Sequence, residues 1–326
     1  MIKATIIRSS RKLFPCLLEN PNNHPSVIEA TPMGQLLKDG EIVVGDQVMV
    51  HLEGDVWTIK ERLPRHNFAF RHLSREKRTQ IFAANVDLMA LVVSGELPVY
   101  KQGLLDRYLL RSNQWNIPTL LLWNKMDKYH LDSQDLNIHN LNIHSEVERV
   151  QTLLENTYEI SAKDFGYQPR FLDQGIEDFK KKIKNKTVIF LGQSGVGKSC
   201  LINHLASEQG VELNLKSQEM GVVGKGMHTT TWSELIDLKH FKLIDSPGIR
   251  SLALQDLSQD DLIHLMPDLE EIGRHCKFSN CHHLMGSKGC QFFEKPEMKN
   301  NSHLHSRLDS FQRIKEEISK DARDKE

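Results

Sequence analysis

The chain has 326 residues, enough for two or three domains, and its 42 Lys and Arg balance 43 Asp and Glu. That balance neither demands nor excludes a nucleic-acid partner. No apolar run approaches the ~20 residues of a membrane span, and the opening Met1-Ile2-Lys3-Ala4-Thr5 lacks a signal-peptide core. Five cysteines, three of them clustered late, point to a metal site in a reducing compartment rather than a disulfide framework, and so to a cytoplasmic protein.

Residues 1–72 read as all-β. Short alternating segments run over Ala4–Arg8, Leu13–Leu18, Glu41–Val44, Gln47–His51 and Val56–Lys60, separated by Gly40, Gly45-Asp46 and Gly54-Asp55. Five short strands at this spacing predict a small barrel such as an OB-fold. Such a barrel either binds RNA on an exposed face or only packs on its neighbour. After the last strand, Arg62, Arg65, His66, Phe68, Phe70, Arg71 and His72 interleave cations with aromatics. They suit RNA stacking, or form a linker that packs its aromatics inward.

Residues 73–256 carry the strongest signals. Asn85-Val86-Asp87 leads a buried-strand run to Val93, and Leu104 to Trp115 has helical spacing. Leu120-Leu121-Leu122-Trp123 then runs into Asn124-Lys125-Met126-Asp127. The Asp127 carboxylate can accept the N1–H and N2–H₂ donors of guanine, which adenine lacks. Asn124 can bond the N7/O6 side and tie neighbouring loops together, and the Lys125 stem can cover the base. A polar, His-rich stretch (128–144) and a helix to about Glu155 follow. Tyr158-Glu159-Ile160 leads into Ser161-Ala162-Lys163, where a backbone N–H can meet guanine O6. Asp173 to Lys184 reads as a helix.

Next, Thr187 to Leu191 enters Gly192-Gln193-Ser194-Gly195-Val196-Gly197-Lys198-Ser199-Cys200. This is G-x-x-x-x-G-K-[ST] with a strand before it and a helix after it. The glycines let backbone N–H groups face a phosphate, and the helix N-terminus adds positive charge. Lys198 can reach the β- and γ-phosphates and Ser199 can ligate Mg²⁺. Residues 207–231 form a polar segment ending Gly226-Met227-His228-Thr229-Thr230-Thr231, placed where switch I belongs. Thr230, by its match to a G-T-T pattern, is the expected Mg²⁺ ligand over Thr229; the alternative is the start of a strand. Phe241–Ile244 leads into Asp245-Ser246-Pro247-Gly248, in which Asp245 would hold a Mg²⁺-bound water and Gly248 would sense the γ-phosphate. Four such motifs, each at the carboxyl end of an apolar strand, indicate one nucleotide site in an open α/β sheet.

Residues 257–326 read as helical and polar and contain Cys276-x4-Cys281-x-His283-x6-Cys290. Three thiolates and one imidazole suit a closed, structural zinc site, with His282 as the alternative imidazole. Cys16 and Cys200 read as small core residues.

The motif order departs from a Ras-like GTPase, which runs P-loop, switch threonine, D-x-x-G, N-K-x-D, S-A-K. Here N-K-x-D and S-A-K come first, so the sequence resembles a circularly permuted GTPase; permutation keeps packed contacts and relocates the termini. With a small N-terminal barrel (1–72), a permuted Ras-like P-loop sheet (73–256) and a mostly helical zinc domain (257–326), the chain resembles the bacterial small-ribosomal-subunit-dependent GTPases. The matching elements are Gly45-Asp46, Asn85-Val86-Asp87, Asn124–Asp127, Gly192–Ser199, Gly226-x-His228-Thr229-Thr230-Thr231, Asp245–Gly248 and the zinc set. The resemblance implies GTP and GDP with Mg²⁺, one structural Zn²⁺, and subunit-stimulated hydrolysis in late maturation of that subunit. The implied partners are the small subunit and its rRNA, with no membrane and a monomeric chain. Two features depart from it. The His283–Cys290 spacing is one residue longer than the usual family pattern, and neither terminal domain is strongly basic: residues 1–72 carry 9 Lys and Arg against 8 Asp and Glu, and 257–326 carry 11 against 13. RNA contact would then depend on local patches.

Ras-like enzymes place a Gln after D-x-x-G to orient water; here that position is Ile249, which cannot. The isolated protein is therefore expected to hydrolyse GTP slowly. The resemblance offers His228 as the substitute catalytic residue, against the alternative of a surface histidine in a loop. Arg250 could stabilise developing charge.

Overall fold

The computed structural model describes residues 1–326 apart from 22–23, 37–39, 74–77, 96–97, 129–136, 139–140, 214–232, 246–253, 255 and 324–326. In chain order its strands are β1 (Ile2–Ile6), β2 (Phe14–Leu18), β3 (Val27–Pro32), β4 (Gln47–Glu53), β5 (Val56–Arg62), β6 (Phe68–Leu73), β7 (Arg78–Ala84), β8 (Leu88–Ser94), β9 (Thr119–Asn124), β10 (Asn137–Ile138), β11 (Leu141–Asn142), β12 (Thr157–Glu159), β13 (Thr187–Leu191), β14 (Glu234–Asp237) and β15 (Lys242–Asp245). The helices are α1 (Gln102–Trp115), α2 (Ile143–Gln151), α3 (Ile176–Ile183), α4 (Lys198–Ser207), α5 (Gln259–His264), α6 (Pro267–Gly273), α7 (Gln291–Glu294), α8 (Pro296–Lys299) and α9 (Ser302–Arg323).

The first five strands close into a barrel, β1-β2-β3-β5-β4, the small barrel expected. One strand differs from the sequence reading. Glu41–Val44 is not a strand, and Val27–Pro32 is. Ile42, Val43 and Val44 are all buried, so their apolar run marks a buried turn, not an alternating strand. That turn survives burial because its polar groups are partnered: Val43 N–H donates to Asp46 Oδ2 at 2.8 Å and Val44 N–H to Ser9 Oγ at 3.2 Å. Val27–Pro32 alternates strictly in burial, but Glu29 and Pro32 hide it in a hydropathy reading; Pro32 is tolerated at the strand end.

Six strands form the nucleotide-domain sheet in the order β12-β9-β8-β13-β15-β14, parallel except for edge strand β14. Strand β13 lies mid-sheet although it comes fourth in the chain, as permutation requires. All six residues of β9 are buried, as befits a strand covered on both faces. Barrel and sheet belong to one compact unit (1–71, 79–100, 115–251). Gly45 has φ +85, and a Cβ there would lie 2.1 Å from Ala84 O. Asn85 Nδ2 donates to Gly45 O at 3.0 Å, and Asn67 brackets Val86 through both its amide atoms at 2.8 and 2.9 Å. Asp46, fully buried, accepts Arg65 Nε at 2.6 Å and Nη2 at 2.8 Å. The Gly45-Asp46 and Asn85-Val86 matches therefore join barrel to sheet. The barrel also reaches the sheet edge, where Leu235 N–H donates to Ile7 O at 2.7 Å. Of the two readings of 62–72, the inward one describes Phe70, which lies 6.4 Å from the Trp115 ring, while Phe68 stays 41% exposed.

The second unit comprises 72–78, 101–114 and 252–326. Residues 101–114, most of α1 and read in sequence with the nucleotide domain, give Leu110 to a core with Leu262, Met266, Phe292, Leu308 and Phe311. Buried Arg307 bridges Asp106 at 2.8 Å and Asp268 at 2.9 Å, and Arg111 donates to Asp256 at 2.5 and 2.7 Å. Such buried pairs fix register more than they add stability. Among the described residues no helix is long and apolar enough to cross a membrane.

Candidate nucleotide site and metal centre

The carboxyl ends of β9, β12, β13 and β15 lie along one edge of the sheet, where an open α/β fold places its ligand. The loop after β13 is shaped by glycines that nothing else could replace. Gly192 has φ +141, and a Cβ would lie 2.2 Å from Val92 O; Gly197 has φ +98, and a Cβ would lie 2.3 Å from Asn124 Nδ2. The backbone thus curls closely against its neighbours and opens into α4 at Lys198. The loop is thereby pressed against Val92 and Asn124, and a glycine-rich turn that enters a helix N-terminus has the geometry that receives a phosphate. Lys198 Nζ donates to Gly192 O and Gln193 O, both at 2.7 Å. Ser194 is exposed, Val196 is buried, and Ser199 lies in the first turn of α4.

Burial pushes the Lys198 ammonium down to about 8, against the pull of the nearby Asp245 carboxylate. Asp245, at the end of β15, is pushed up by burial and by Glu234, while Lys198 opposes that. A carboxylate whose charge is disfavoured by burial suits a divalent cation held with Ser199. A phosphate beside Lys198 raises its pKa again, so binding takes up a proton above pH 8. The sign follows: affinity is full below about 8 and declines as pH rises through it. The Kd for GDP is expected to rise about tenfold from pH 8 to 9.5. Calorimetry near pH 9 in two buffers of different ionisation enthalpy should read the uptake of close to one proton.

Asn124 joins three segments. Its Nδ2 donates to Val196 O at 2.7 Å, and its Oδ1 accepts the Ala162 N–H at 2.8 Å. Lys125 takes a left-handed φ of +66 and its Nζ donates to Gly195 O at 2.6 Å. Burial, then the Lys128 and Lys163 charges, hold its pKa below the ordinary lysine value. Asp127 sits in a single 3-10 turn, Met126–Lys128, anchored by Met126 N–H to Ile160 O at 3.2 Å. Ser161 and Ala162 are buried and Lys163 is exposed. Ala162 O faces Cys200 Sγ and His204 Nδ1, each at 3.4 Å, so Cys200 supports the loop rather than merely filling the core. The structure therefore brings together Asn124, Lys125, Asp127, Ser161, Ala162, Lys163, Gly192 to Cys200 and Asp245. His228, Thr230, Gly248, Ile249 and Arg250 lie outside the described residues.

Sequence reasoning missed Glu159 and Tyr167, which shape the loop after β12. The available signal was an acidic residue ending a strand whose other positions are all buried.

In the second unit, the ligand atoms of Cys276, Cys281, His283 and Cys290 lie within 4.8 Å of one another. His283 Nδ1 is 3.6 Å from Cys276 Sγ and 3.9 Å from Cys290 Sγ. Tetrahedral zinc with its usual bond lengths needs edges of roughly 3.5–3.8 Å, so the donors fit. His282 is exposed and outside the group. His283 turns inward at φ +54 and packs on Phe292 at 5.0 Å. Burial pushes the Cys290 thiol up to about 12 and lowers the His283 imidazole, with Lys315 and His282 adding to the latter shift.

Residues 62–255 match the family model described as RsgA GTPase. A relative from Azobacteroides pseudotrichonymphae, named small ribosomal subunit biogenesis GTPase RsgA, is 30% identical over 284 residues, 85% of this chain and 84% of its own length. One of the same name from Hahella chejuensis is 32% identical over 283 residues, covering 85% of this chain and 74% of its own. The crystal structure of YjeQ from Thermotoga maritima superposes with a TM-score of 0.72 at 25% identity, covering 97% of this chain and 98% of that one. YloQ, described as a circularly permuted GTPase, superposes at 0.70 with 26% identity, covering 98% and 96%.

Proposed function

The chain belongs to the RsgA GTPase family, and from that membership we propose that it is a GTP-hydrolysing switch that binds the small ribosomal subunit and assists its late maturation, with hydrolysis stimulated by the subunit. The observation that carries this reading is the convergence of a phosphate cradle (Gly192 to Ser199) with a base-reading pair (Asp127 and the Ala162 loop) at one sheet edge, tied together by Asn124.

In this reading Asp127 accepts the guanine N1–H and N2–H₂ groups. The Ala162 loop meets O6, and the stem of Lys125 covers the base. Lys198 and the N–H groups of 193–199 bind the β- and γ-phosphates, with Gly248 sensing the latter. Ser199 and Thr230 hold Mg²⁺ and Asp245 holds its water; the ion, when bound, neutralises charge that develops on the phosphates. His228 orients or deprotonates the attacking water, because Ile249 cannot. Cys276, Cys281, His283 and Cys290 hold one structural zinc. The chain acts in the cytoplasm as a monomer, with rRNA contacted through local patches on the barrel and the second unit.

The test is GTP turnover by the purified chain with and without small subunits, ATP being the control. Stimulation confined to GTP is expected, and His228→Ala should lose about a hundredfold of the stimulated rate while keeping its GTP affinity. Tight GTP binding without stimulation would instead favour a module whose nucleotide state governs binding alone. Stimulated turnover that survives His228→Ala would remove that residue from the mechanism.

A further inference from the structure

The loop between β12 and α3 is fastened from inside by a carboxylate that no nucleotide motif requires. Glu159, 1% exposed, ends β12 two residues before Ser161. One of its oxygens accepts the N–H groups of Arg170, Phe171 and Leu172 at 3.0, 2.7 and 3.0 Å. The other accepts the Tyr167 hydroxyl. Successive N–H groups converging on one point make an anion-binding concavity, and here the chain fills it with its own side chain. Glu159 N–H also donates to Gln174 O at 2.9 Å. The far half of the loop is thus folded back onto the end of the strand that carries the near half.

The near half is held from other directions. Ala162 N–H is bound by Asn124 Oδ1 at 2.8 Å. Phe165 stacks on His204 with ring centroids 3.5 Å apart, and the Lys180 ammonium lies 5.0 Å from the Phe165 centroid. Tyr167 N–H donates to Asp164 O at 3.1 Å and Asp164 N–H to Ser161 O at 3.2 Å, which links the Tyr167 end to the Ser161 end. Burial and Glu159 hold the Tyr167 phenol well above its ordinary pKa, and the Asp127 charge adds to the shift. Tyr167 therefore lies within electrostatic reach of the carboxylate assigned to the base.

We propose that Glu159, acting through Tyr167 and the N–H groups of 170–172, is a positioning residue that pre-orders the guanine-reading loop and sets the preference of this site for guanine over adenine. The proposal rests on the reading that Asp127 and Ala162 face the base. A loop that must order itself at each binding event loses affinity for whatever it contacts. It contacts the base; the phosphates are held by 192–199, on a different strand. Loosening the fastening should therefore fall on base discrimination and spare phosphate binding.

The experiment displaces a fluorescent GDP analogue from the full chain with GDP and with ADP, for wild type, Glu159→Gln and Tyr167→Phe. Glu159→Gln keeps the shape of the side chain but turns one oxygen into a donor facing N–H or O–H groups. The ratio of ADP to GDP dissociation constants should fall about tenfold in Glu159→Gln and by a smaller factor in Tyr167→Phe, with the ADP constant within about twofold of wild type. A ratio is indifferent to the folded fraction of the sample, so a purely structural role would not move it. Unchanged ratios overturn the proposal, and if Glu159→Gln fails to fold, Tyr167→Phe alone decides. A wild-type chain with no preference for GDP overturns the guanine reading itself, a separate result.

Discussion

Asp127→Asn is expected to abolish the preference for guanine nucleotides and transfer it to xanthine nucleotides. Guanine presents two donors, N1–H and N2–H₂, to position 127. A carboxylate accepts both; an amide offers one acceptor and sets its own N–H₂ against the second donor. Xanthine carries an oxygen at position 2 and keeps N1–H, so it matches the amide. The local backbone should be unaffected. The 3-10 turn Met126–Lys128 is held by Met126 N–H to Ile160 O and Lys128 N–H to Lys125 O, both at 3.2 Å, and Met126 is fully buried. Sites built to hydrogen-bond a substrate group reject analogues that lack it very strongly, so GDP affinity should fall about 10³-fold or more. Competition between GDP and XDP for a fluorescent analogue measures it. A variant that still prefers GDP would move the base away from Asp127.

The parts of this site that were legible in the sequence are those whose chemistry is contiguous. Gly192 to Ser199 and Asn124 to Asp127 each place their groups within one turn, so residue type and spacing alone carry the geometry. The zinc set was legible through residue chemistry, but the choice between His282 and His283 was not. It is decided by the backbone, where His283 adopts φ +54 and turns inward while its neighbour stays exposed. Contacts across long sequence separations left no local trace. Leu110 packs with residues around 262–318, and Arg111 meets Asp256, 145 positions away. Glu159 escaped notice for a related reason. A buried acid is ordinarily excluded from a core strand, and what makes it stable is a set of N–H groups 11 to 13 residues further on. The barrel error had the same root: burial of Ile42–Val44 was read as strand pairing when Asp46 and Ser9 supply the partners.

Removing the metal should unfold the segment around Cys276–Cys290 while leaving nucleotide binding intact. Apart from an ion, the segment is held by His283 packing on Phe292 and Phe311 and by Gln312 Nε2, which donates to His282 O at 2.9 Å and His283 O at 3.2 Å. Gly289 has φ +75, and a Cβ there would lie 2.5 Å from Lys277 Cβ; Lys277 N–H donates to Gly289 O at 2.9 Å. Cys290 is fully buried and precedes α7, and Gln291 N–H donates to Cys276 Sγ at 3.5 Å. Without an ion these are weak sulfur contacts among converging polar groups. With one, closing a Cys₃His set commonly supplies most of the folding free energy of so small a segment. Cys290→Ser preserves volume but replaces a soft thiolate with a poor ligand. Zinc content should fall from one per chain towards zero, with a loss on the order of 5 kcal/mol in the second unit, or about 20 °C in its Tm. None of the four ligands belongs to the unit that carries Lys198 and Asp127, so GDP affinity should stay within about twofold of wild type. Elemental analysis, thermal unfolding and GDP titration on the same preparations decide the matter. Full zinc content with unchanged unfolding would remove Cys290 from the ligand set, and loss of GDP binding in the zinc-free Cys290→Ser chain would show that nucleotide binding depends on the metal centre.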